Sequence, residues 1–255
     1  MRVQTVAKSM RIVLLAGVAT LALSACASNR ASMTDPIATG SITGDAGSVA
    51  QLAERYKAHP RDKVTVIYYA AALRAAGQPE QAVSVLEAGV SVFRNDIDIK
   101  IAYAKALTAA GRFDQALNVA DSAIDPTLPD WNALLVKGAI YDQSGKNAAA
   151  RAIYTQALLL APNEASLEAN MGLSFAMTNE LEKAEQHLRR AVGMRGATSQ
   201  IRQNLALVIG LQGRFEDSRA LFARELPPEQ VEANMSYIRA LLTQQSRWDL
   251  IKGSE

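Results

Sequence analysis

The stretch "IAYAKALTAAGRFDQALNVA", Ile101–Ala120, decides how this 255-residue chain folds. Two runs of helix-forming residues with apolar positions at helical spacing meet at Gly111. The arrangement recurs: Gly77, Gly111, Gly145 and Gly213 fall on one 34-residue ladder, with Asn179 on the remaining rung. Glycine and asparagine both tolerate the left-handed backbone that ends a helix, so each rung reads as the turn inside a helix pair.

The columns around the rungs carry the packing. Seven residues before them stand Ala70, Ala104, Gly138, Gly172 and Ala206; five after them stand Ala82, Ala116, Ala150, Ala184 and Ser218. All are small, which lets two antiparallel helices approach closely, while Leu73, Leu107, Tyr141, Phe175 and Ile209 fill the space between. Leu86, Ala120, Tyr154, Leu188 and Phe222 supply the core side of the second helix, followed by Gly89, Ala123, Ala157 and Ala191. A single register held through five units without an insertion marks a repeat array, since an ordinary bundle keeps no such period.

These columns resemble the tetratricopeptide repeat, with units starting at Lys63, Ile97, Trp131, Ala165 and Ser199 and with Pro162 at the family's late proline position. Trp131 is not at the usual tryptophan place, and Glu225 replaces a small residue. The resemblance implies an all-α tetratricopeptide-repeat solenoid of about five helical hairpins. "VAQLAERYKAHPRD" upstream reads as an isolated second helix. "EQVEANMSYIRALLTQQ" downstream places Val231, Met235, Ile238, Leu241 and Leu242 on one face. Both are expected to cap the apolar ends of the array.

The N-terminus carries an address. Arg2, Lys8 and Arg11 precede twelve uncharged residues, Ile12–Leu23, which rise about 18 Å as a helix, short of the roughly 30 Å hydrocarbon core. This matches a secretory signal. "LSAC", Leu23–Cys26, resembles the lipobox of bacterial lipoproteins, which implies cleavage before Cys26 and acylation of the chain's one cysteine. An ordinary signal cut after Ala27 is the rival reading. Ala27 next to Cys26, where an aspartate retains lipoproteins in the inner membrane, implies the outer membrane and a periplasmic location. The expected organisation is a signal peptide over 1–25, a lipidated tether over 26–47, a repeat domain over 48–245 and a tail over 246–255. The tether is rich in Ser, Thr, Gly and Ala and spans roughly 25 Å as a flexible coil.

Charge excludes one class of partner. Without the three signal cations, 24 basic residues face 25 acidic ones. A near-neutral body with no basic cluster has little grip on nucleic acid.

Catalytic and metal motifs are missing as well. His59 and His187 stand far apart without ligand company, and no H-E-x-x-H, paired cysteines or phosphate loop is present. "GLSFA", Gly172–Ala176, lacks the second glycine of a nucleophile elbow. Asp96, Asp98 and Asp142 read as solvated carboxylates at helix ends or faces. The expectation is therefore a non-enzymatic protein with no cofactor and no small-molecule substrate.

Function falls to surface recognition. In the tetratricopeptide family the first helix of each unit lines a groove. By that resemblance the lining includes Ile67, Ala71, Ile101, Lys105, Leu135, Ala139, Asp142, Leu173 and Leu207. Such an apolar lining suits a partner helix or strand, with Lys105 and Asp142 fixing register. Cover by the C-terminal helix is the alternative.

"RQNLALVIGLQGRFEDSRALFARELPPEQVEANMSYIRALL", Arg202–Leu242, resembles the C-terminal part of the TadD family, lipoproteins of the tight-adherence (Flp) pilus system; "YDQSGK" and "DPTLPDWNALLVKGA" fit its middle. The resemblance implies a pilotin-like assembly factor whose protein partner is the pilus secretin. A scaffold for another outer-membrane machine, or a docking regulator of a peptidoglycan hydrolase, are the competing functions.

Overall fold

The computed structural model describes residues 46–252, all of whose regular elements are helices. The signal, Cys26 and nearly all of the tether lie outside the described residues. In order, the helices are α1 (Ala46–Ala58), α2 (Lys63–Ala75), α3 (Pro79–Val92), α4 (Ile97–Ala109), α5 (Phe113–Ser122), α6 (Trp131–Gln143), α7 (Asn147–Leu160), α8 (Ala165–Met177), α9 (Leu181–Gly193), α10 (Ser199–Leu211), α11 (Phe215–Phe222) and α12 (Pro228–Lys252). The five first helices of the pairs start at the five expected residues.

Each pair is closed by the same backbone device. Gly77, Gly111, Gly145, Asn179 and Gly213 all have positive φ, between 61° and 83°. At each rung the next residue's N–H reaches back to the carbonyl of Leu73, Leu107, Tyr141, Phe175 or Ile209, at 2.8–3.2 Å. This is the helix-ending bond that a left-handed residue permits.

The opposite ends share a second column. Asp62, Asp96, Asp130, Glu164 and Thr198, again 34 residues apart, are the N-caps of the first helices, and each side chain accepts a first-turn N–H. This satisfies donors that an uncapped helix leaves open. Asp96 and Asp98 also take Lys63 Nζ at 2.9 and 3.2 Å, joining α2 to the next pair.

The described residues form two compact units that divide at Pro162–Asn163. The first comprises α1 and the pairs α2–α3, α4–α5 and α6–α7. Its core holds Val66, Ala70, Leu73, Leu86, Ile99, Ala104 and Leu107, all essentially without exposed surface. The α1 helix covers α2, with Tyr56 stacked on Tyr69 at 5.3 Å between ring centroids. The α5 helix is short and is followed by the connection 123–130. There Asp125 turns the chain by accepting from Thr127 N at 2.8 Å and from its hydroxyl at 2.6 Å. The shorter helix and longer connection compensate, so the 34-residue period is kept.

The second unit comprises α8–α9, α10–α11 and α12. Met235 and Ile238 of α12 are fully buried, and a Cβ at Gly210 would stand 2.7 Å from Ile238 Cδ1, so α12 closes directly on α10. Glu225, the exception in its small-residue column, lies beyond the end of α11. It binds Arg202 through both oxygens, at 2.6 and 3.1 Å. Helix begins at Ala46, and α12 runs through Lys252. Neither glycine nor proline interrupts Glu229–Lys252, which explains the longer helix.

Candidate functional site

The two helices of a pair are not equivalent. Nine of the thirteen residues of α6 and ten of the thirteen of α8 are buried, against three each in α7 and α9. From α4 onward the first helix of each pair buries more residues than the second, whereas α2 and α3 bury five and four. Within each unit the first helices thus lie more to the inside than the second helices.

This layering decides where the expected binding residues lie. In the first unit, Ile67, Ala71 and Lys105 keep part of their surface. Ile101 and Ala139 are buried, and Leu135 is 0% exposed. In the second unit, Leu173 and Leu207 are buried as well. Aliphatic side chains at these positions join the inner layer, so an exposed lining describes Ile67, Ala71 and Lys105 but not the five buried aliphatics.

Asp142 is the clearest correction. Instead of a solvated, register-fixing charge it is 6% exposed. Tyr154 Oη donates to its Oδ2 at 2.9 Å and Asn147 Nδ2 to its Oδ1 at 2.8 Å. The carboxylate thereby clamps α6 to α7. Gly138 stands opposite Tyr154, and a Cβ there would come within 2.3 Å of the ring. The glycine makes room for the ring that brings the hydroxyl to Asp142.

His187 also differs from its solitary reading. Its Nδ1 lies 2.6 Å from Glu168 Oε2, and Arg190 donates to both oxygens of that carboxylate at 3.2 and 3.1 Å. Phe175 stacks on the imidazole with centroids 5.2 Å apart. These groups tie α8 to α9. Among the described residues, no three His, Cys, Asp or Glu side chains are grouped to hold a metal ion.

Buried amides were the residues that periodicity missed. Asn132 on α6 and Asn204 on α10 are buried, and Asn132 Oδ1 and Asn204 Nδ2 meet no hydrogen-bond partner among the described residues. Asn204 Oδ1 accepts from Gln200 at 3.1 Å, whereas Asn170 on α8 donates to Ser166 O at 2.8 Å.

Tetratricopeptide-repeat sequence profiles match residues 73–137 and 135–200, together half of the chain. The chain belongs to the tetratricopeptide repeat family. A thermophilic tetratricopeptide-repeat protein of Thermus thermophilus, TTC0263, is similar in structure with a TM-score of 0.61 at 22% identity, covering 71% of this chain and 100% of that one. Human IFIT1, solved as a dimer with m7Gppp-AAAA, gives 0.59 at 16% identity, covering 75% of this chain and 48% of IFIT1. At these identities the likeness is one of fold. No curated protein matches the chain. Tetratricopeptide-repeat domains mediate protein–protein interactions, and this chain is an interaction scaffold of that kind.

Proposed function

We propose that this tetratricopeptide-repeat scaffold is a non-catalytic, lipid-anchored assembly factor for the secretin of a tight-adherence (Flp) pilus, acting at the periplasmic face of the outer membrane. One observation carries the reading: a lipobox-like "LSAC" at Leu23–Cys26 is joined, through a polar tether, to an array of repeat hairpins. Acyl chains on Cys26 hold the scaffold at the bilayer, since more than one chain makes anchoring stable. The first helices then receive a secretin segment, with Ile67 and Lys105 as the accessible contacts in the first unit. Contact of a partner with the buried positions Leu135, Leu173 and Leu207 requires the inner layer to open.

Deletion of the gene tests the function. The expected result is loss of heat-resistant secretin multimers with general porin levels and cell-wall cleavage unchanged. Reduced porins would point to a general outer-membrane scaffold, and altered wall cleavage to a hydrolase regulator. Cys26→Ala is expected to abolish palmitate labelling; labelling that persists would dispose of the anchor. A photoreactive residue at Ile67 is expected to crosslink the secretin, and adducts formed only from second-helix positions would overturn the assignment of the binding face.

A further inference from the structure

We draw no further inference here: the strongest candidate, the face of α1 at the start of the first unit, where Leu52 keeps part of its surface while its counterparts Leu86, Tyr154 and Leu188 are fully buried, is an unpartnered apolar helix face, and nothing in the structure shows what covers it.

Discussion

A methyl group added at Gly138 would land 2.3 Å from Tyr154 Cε1, in a place where both side chains are buried. Gly138→Ala is expected to cost about 1–3 kcal/mol in urea unfolding, since the ring cannot retreat without strain. The equivalent residues in α2–α3 are Ala70 and Leu86, where a methyl group faces a smaller side chain. Glu225 supplies a pH test. The Arg202 guanidinium holds its carboxyl below the ordinary glutamate range, so its contribution is present above the unfolded pKa and is lost as pH falls through the folded one. Glu225→Gln is therefore expected to melt below wild type at pH 6, with the difference closing on acidification through the glutamate range. Both pairs show the limit of reading single residues. The need for a small side chain at Gly138 was legible, because size recurs in its column. The bonding of Asp142 was not, because a charged residue in sequence carries no sign of the hydroxyl that will meet it.

Among the elements, α4–α5 is the cleanest test of close approach. Ala104 and Ala116 are both fully buried, and Ala104→Leu is expected to destabilise by about 1–3 kcal/mol through overpacking. An unchanged melting midpoint would contradict the contact. The N-cap column gives a second test. Asp96→Ala removes the acceptor for Ile99 N and one of the two carboxylates on Lys63, and a loss of about 0.5–2 kcal/mol is expected by thermal unfolding. Helix starts and rung turns were readable because caps and left-handed residues obey steric rules acting over a few residues. The unequal burial of first and second helices was only partly readable. Alanine-rich first helices look alike whether one or all of their faces are covered, and α8, with Ala165–Ser174 buried without a break, shows how far that cover extends.

For the molecule as a whole, stability depends on how each unit closes its ends. Met235 and Ile238 of α12 seal α10 in the second unit, and Met235→Ala is expected to cost about 2–5 kcal/mol by leaving a cavity there, measured by denaturant unfolding with dye binding as a check for exposed core. Arg219 of α11 and Glu232 of α12 pair beside it, but as a largely exposed contact this adds little. The amino-acid sequence by itself determined the period, the helical class, the five starting points, the turn at each rung and the presence of terminal caps. Each follows from local sterics and side-chain volume repeated at fixed spacing, so no knowledge of distant partners was needed. Tertiary structure alone decided that Leu135, Leu173 and Leu207 are buried while Ile67 and Lys105 keep some surface. It also decided that Asp142 and His187 are bonded inside helix pairs. Exposure and charge pairing depend on which atoms arrive through space, and hydrophobic periodicity records only that a side chain is apolar, not what covers it.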